Sequence, residues 1–149
     1  MKSFFDKASQ AELLERMQKL TPQTAPAWGK MNAAQMLAHC GVAYQSATGD
    51  VQLKPIGFFF RLIGPMIKKS VLSEKPYRKN SPTAPEFVFP SDIDFAEAKN
   101  SFEASFKKLA GGPDMVKTLK HPFFGPMTAE EWGRHMYKHT DYHFTQFGI

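Results

Sequence analysis

The chain has 149 residues, 42% hydrophobic and 22% charged, with a formal net charge of +5. That length suits one domain of roughly 100–200 residues, so residues 1–149 are expected to form a single unit, and the composition excludes a disordered chain. Cys40 stands alone, which excludes an intrachain disulfide; MKSFFDKASQ lacks the apolar run of a secretory signal, and IGFFFRLIGPMI is cut by Arg61 and Pro65, short of the roughly 20 residues a membrane span needs. A cytoplasmic protein with no transmembrane segment is expected.

The positive charge gathers in residues 54–79, where seven basic residues stand against Glu74 alone, a net of +6. Such a stretch could meet an anionic small molecule, a nucleic acid or a membrane surface. No aromatic-interleaved basic motif accompanies it, so a solvated face is favoured and nucleic acid is not an expected partner.

In chain order, Ser9 and Glu12 have capping-box spacing ahead of Leu13, Leu14, Met17 and Leu20, which predicts a first helix from Ser9 to before Pro22. A second start follows at Asn32 with Gln35 three residues on, and this helix should run to about Gly49. Residues 56–72 read as a third helical segment with Phe59, Leu62, Ile63 and Met66 on one side, bent or divided at Gly64 and Pro65. Pro76, Pro82, Pro85 and Pro90 then make residues 73–90 a long surface excursion, in which EFVF at 86–89 is the longest alternating stretch. Helix returns near Ser91, capped over the Ser91 to Asp94 spacing, with Phe95, Ala98, Phe102 and Phe106 as a stripe, and AGGPD stops it. Thr128 and Glu131 open the last helix, with Met127 and Trp132 placed to close a hydrophobic staple. The fold class expected is all-α, a bundle burying four or five amphipathic helices.

On the last helix, with Trp132 set at zero and about 100° per residue, Met136 falls near +40°, His139 near −20°, His143 near +20° and Phe147 near +60°. Both imidazoles therefore lie within the apolar stripe, bordered by Gln146. Unpaired polar burial costs on the order of 1–3 kcal/mol, so two imidazoles on adjacent turns need partners. A divalent ion is one answer, since side chains at i and i+4 can converge on it. A third ligand must come from another helix, and His39, on the side of the second helix that carries Met36, Ala43 and Ala47, is the candidate. Hydrogen-bonded core histidines remain the alternative. His135 projects off the stripe and is expected to flank it or be exposed; His121 could line a pocket mouth or serve its turn. Cys40 lies about 100° round the helix from His39 and is expected to be a buried, inert thiol.

His39 within AAQMLAHC, followed far downstream by HxxxHxxQ at His139, His143 and Gln146, resembles the DinB-like metal-binding superfamily. WGKMNAAQMLAHC with HPFFGPMTAEEWGRHMYKHTDYHFTQFG is similar to an uncharacterised bacterial branch of it. The resemblance implies an up-down-down-up four-helix bundle, often a homodimer, with a divalent ion (Zn, Ni or Fe) held by His39, His139 and His143, here with the proline-rich loop added. Among relatives it implies thiol S-transferases, thiol-dependent isomerases and metal-dependent hydrolases acting on a small anionic or thiol substrate. A metal-dependent enzyme of thiol-transferase or hydrolase type is the first expectation. The alternative is a metal- or small-ligand-binding stress-response protein without turnover, its shell closed by His135 or His121. Trp28, His121, His135 and Gln146 are candidates for lining the pocket.

Overall fold

Capping signals decide where most helices start in the structure, a computed structural model that describes residues 1–54 and 57–149, without the side chains of residues 58–61. Helix α2 spans Ala33–Thr48. The Asn32 side chain accepts from the Gln35 N–H and the Gln35 side chain accepts from the Asn32 N–H, both at 2.9 Å. Two otherwise orphaned donors are thereby satisfied. Gly49, left-handed at φ 79°, closes the other end. The last helix, which we label α5, spans Ala129–Gln146 and opens with the same reciprocal pair, Thr128 and Glu131.

Two starts differ from the sequence reading. Helix α1 spans Lys7–Gln18, ahead of Ser9, because Asp6 takes the N-cap place and its carboxylate accepts from the Ser3 N–H. Helix α4 spans Phe95–Leu109 and is capped by Asp94, which accepts from the Glu97 N–H. Ser91 lies outside it and uses its carbonyl to accept from the Asn32 side chain.

Helix α3, Phe58–Val71, runs through Gly64 and Pro65 without dividing. Ile56 and the Phe59 side chain, both part of the expected segment, lie outside the described residues. Leu62 and Met66, expected on its apolar side, are 64% and 69% exposed. Ile63 of that side is half-buried; among the described residues, Gly64 packs on the Phe123 carbonyl with no room for a Cβ, and Lys68 also turns inward. The Lys68 ammonium donates to the Pro126 carbonyl at 2.5 Å and pairs with Glu131 at 2.7 Å, so this member of the basic stretch is tied down, while Lys54, Lys69, Lys75, Arg78 and Lys79 are exposed. EFVF forms no strand; Pro85–Phe87 is a 3-10 turn. A short antiparallel hairpin, β1 Lys120–His121 with β2 Gly125–Pro126, precedes α5 and was not predicted.

The described chain is mostly helical. Helix α2 packs on α4 and α5, and α1 packs on α5. Phe4, Tyr44, Phe102, Phe106 and Phe144 fill the space between them, with Phe4 and Phe106 ring centres 4.7 Å apart in an edge-to-face contact. Among the described residues, no helix is long and apolar enough to cross a membrane.

One buried polar contact fixes α2 against α5. The Tyr44 hydroxyl and the Thr140 hydroxyl lie 2.6 Å apart, both fully buried. Substituting Tyr44→Phe should leave Thr140 without its partner and cost about 1–3 kcal/mol. Adding Thr140→Val should recover much of that loss, since neither hydroxyl then remains unpaired. Urea unfolding of both variants measures the difference; equal losses would show that the contact contributes little.

Candidate metal centre

The register set by Tyr44 and Thr140 places His39 of α2 across from His139 and His143 of α5. One ring nitrogen from each falls within 4.8 Å of the others. The ring centres are 4.6 Å apart for His39 and His143, 4.7 Å for His139 and His143, and 4.9 Å for His39 and His139. His39 and His143 are buried, and His139 is partly accessible.

Hydrogen bonds determine where the ring protons sit. His39 Nδ1 lies 3.1 Å from the Phe87 carbonyl. A carbonyl only accepts, so Nδ1 carries the proton and Nε2 keeps its lone pair. His143 Nδ1 lies 2.8 Å from Gln146 Oε1. The amide is oriented by its other end, where Nε2 donates to the Trp28 carbonyl at 2.7 Å. Its oxygen must therefore face His143, whose proton is held on Nδ1 and whose Nε2 is left bare.

His39 Nε2 and His139 Nε2 lie 3.0 Å apart. With the other two protons committed, His139 can bring at most one proton to the cluster, and its Nδ1 is buried without a partner. More lone pairs converge than the protein has donors to satisfy. A separation of 3.0 Å is also the edge between two nitrogens each about 2.1 Å from one ion and roughly at right angles around it. The residues present therefore fit a divalent ion.

The acid–base balance agrees. Burial pushes the His39 pKa down, opposed by the Phe87 carbonyl. Burial, and then the neighbouring His39, push His143 down to about 4. His139 is held well below the usual histidine range by burial and then by His143, His39 and His135. Neutral rings are the form that binds metal.

The turn before α2 makes the Gln146 arrangement sterically feasible. Gly29 has φ +86°, and a Cβ there would come 2.5 Å from Gln146 Nε2. A side chain at this position would be strained and would displace the amide that orients His143.

His135, expected to flank the stripe or be exposed, is buried instead. The Phe124 ring of the hairpin packs edge-on at 5.4 Å and Tyr77 bonds its Nδ1 at 3.1 Å, so tertiary cover closes over that flank of the helix. Burial, followed by His121 and Lys138, pushes its pKa down to about 3. His121 accepts from the Phe123 and Phe124 N–H groups at 3.1 and 3.2 Å, which is service to the hairpin turn. Neither belongs to the three-histidine cluster. Trp28 lines a separate cavity, and Gln146 stands behind His143. Cys40 is fully buried and its thiol is pushed up by that burial, as expected of an inert thiol. The sequence reading missed the Phe87 carbonyl, Tyr77 and Gly29; only Gly29, a glycine following Trp28 between two prolines and a helix cap, left a signal.

A mostly helical chain whose two packed helices present three converging imidazoles is, by class, a helical histidine-cluster protein suited to a metal ion. A family model described as the DinB superfamily matches residues 7–147, and the chain belongs to that superfamily. No curated protein matches the chain. No solved structure matches it either.

In the metal-free protein, stability should fall as the pH drops from about 6.5 toward about 4. Unfolded histidines take up protons near 6.5 while His143 stays neutral to about 4 and burial likewise pushes His39 and His139 down, so the unfolded state binds more protons in that window and acid favours it. Each buried histidine can contribute up to about 1.4 kcal/mol per pH unit. Urea midpoints at about pH 7 and about pH 5 check this; coincident midpoints would mean that the imidazoles titrate as they do in water.

Proposed function

We propose that the protein is a metal-dependent enzyme of thiol-transferase or hydrolase type, with His39, His139 and His143 holding a divalent ion, Zn, Ni or Fe. The observation that carries the reading is the excess of lone pairs at the cluster, two of them aimed by the Phe87 carbonyl and the Gln146 amide. When bound, such an ion supplies a lowered pKa to a water or thiol beside it.

The chain's own residues do the rest. His39 and His143 are locked in the tautomer that leaves Nε2 bare, and Gln146 cannot flip without losing the Trp28 carbonyl. His121 and His135, the residues that would close the shell in a non-catalytic module, stand outside the three-histidine cluster, and His121, which accepts two hairpin N–H groups at Nδ1, carries its proton on Nε2. Their place outside the cluster favours the catalytic reading over the binding-only one. No carboxylate belongs to the cluster, so a small anionic or thiol substrate suits a centre of three neutral ligands. The reading includes one domain over residues 1–149, with α1, α2, α4 and α5 as an up-down-down-up bundle.

Elemental analysis of untagged protein tests it. Wild type should carry about one equivalent of metal, and His139→Ala or His143→Ala should lose it. Absence of metal from wild type after incubation with Zn or Ni would return these histidines to a hydrogen-bonded core. Gln146→Leu should retain the fold but bind metal about 10- to 100-fold more weakly, measured by competition with a chelator. Gly29→Ala should move affinity the same way although it supplies no ligand; unchanged affinity in both variants would remove the orienting role assigned to the amide.

A further inference from the structure

Outside the histidine cluster, the chain builds a cavity of about 620 Å³ between α5 and the segment after α3. Its walls are aromatic. Trp28, Tyr77 and Tyr142 meet edge to face, with ring centres 6.0 Å apart for Trp28 and Tyr142 and 5.4 Å for Tyr77 and Tyr142. This is a surface on which a flat ring can lie.

The polar groups at the cavity are unevenly matched. Two acids lie in its wall: Asp141 is already paired with Arg16 at 2.6 Å, and the exposed Glu74 with the N-terminal ammonium of Met1 at 3.2 Å. The Lys138 ammonium is spent on the Ser70, Val71 and Ser73 carbonyls at 3.3, 3.0 and 2.7 Å, where it caps the end of α3. Lys79 differs: its ammonium sits over the Trp28 ring, 4.0 Å from the centre, and no carboxylate among the described residues pairs with it. The Tyr142 hydroxyl accepts from the Trp28 indole at 3.3 Å and the Thr145 hydroxyl accepts from Arg16 at 3.2 Å, which leaves both hydroxyl protons available to a ligand. Donors and one unmatched cation surround an aromatic slot.

We propose that this cavity is a binding site for a small planar aromatic anion, an aryl carboxylate, whose ring lies against Tyr77 and Tyr142 and whose carboxylate meets Lys79. Charge and shape select together. An apolar ring alone gains only the wall, and a small inorganic anion gains only the exposed Lys79, whose attraction is screened by water and salt. Tyr142 is shared with the metal centre, its ring 5.0 Å from that of His143, yet none of the three cluster histidines lines the cavity. The proposal therefore stands without a metal.

The test is calorimetric titration of the full chain, stripped of metal by a chelator, with 2-naphthoate and with its neutral analogue 2-naphthylmethanol. The acid should bind saturably at one site, and the alcohol at least about fivefold more weakly. Lys79→Met, which keeps the stem and removes the charge, should bring the acid to the level of the alcohol and leave the alcohol unchanged. The chain has two tryptophans, so an amide–proton spectrum locates the ligand: the Trp28 indole signal should shift while that of buried Trp132 stays fixed. No saturable binding of the acid, equal affinity for acid and alcohol, unchanged affinity in Lys79→Met, or a shift confined to Trp132 would each overturn the proposal. Metal stripping keeps this result separate from metal binding, because direct ligation of the carboxylate cannot produce it.

Discussion

Three imidazoles gathered between facing helices, two of them buried, set the terms for much of the molecule. A ring nitrogen removed from water needs a donor, an acceptor or a cation, and the cost of leaving it without one is comparable to a large share of a domain's net stability. The acceptors are a backbone carbonyl from the distant 3-10 turn at Pro85–Phe87 and the amide of Gln146 on the same helix, itself anchored on the distant Trp28 carbonyl. The connection between α3 and α4 and the turn before α2 are thus parts of the site as much as the helices are.

The helices can hold this cluster because their ends and register are fixed independently of it. Reciprocal caps at Asn32 and Gln35 and at Thr128 and Glu131 set where α2 and α5 begin. The buried Tyr44 and Thr140 hydroxyls then fix how α2 lies against α5. A slip of one residue would rotate His39 by about 100° and remove it from the cluster. The turn ahead of α5 is held in a similar way, by His121 accepting two backbone N–H groups and Trp132 donating to the Thr118 carbonyl at 2.6 Å.

What could be read in the sequence follows from the range of the interactions involved. Caps and helical periodicity act over three or four residues, so α2, α5 and the inward placement of His39, His139 and His143 were legible. The cover of His135 by Phe124 and Tyr77 comes from segments far along the chain, and angular projection alone could not see it. The Phe87 carbonyl left no trace because every residue carries one. Helix α3 was misjudged in part for another reason: Leu62 and Met66 suggested a core face but are exposed, whereas among the described residues a glycine small enough to meet the Phe123 carbonyl and a lysine that finds an acceptor and a carboxylate turn inward. Ser91 failed as a cap because Asp94, closer to the apolar stripe, took the same role.

Charge ties these parts together. A ligand set of three neutral nitrogens leaves a divalent ion its full double charge, unlike a set that includes carboxylates. The charged groups near the cluster do not offset it. Lys138, one residue before His139, holds its ammonium at the Ser70 and Val71 carbonyls at the C-terminus of α3, where the helix dipole favours a cation, and Lys79 lies beyond the shared Tyr142 wall with no acidic partner among the described residues. Asp141, the nearest acid along α5, is turned to Arg16. With the ion bound, this side of α5 would carry positive potential on both faces of Tyr142, and a ligand approaching either the cluster or the cavity would be favoured by negative charge before it made any specific contact.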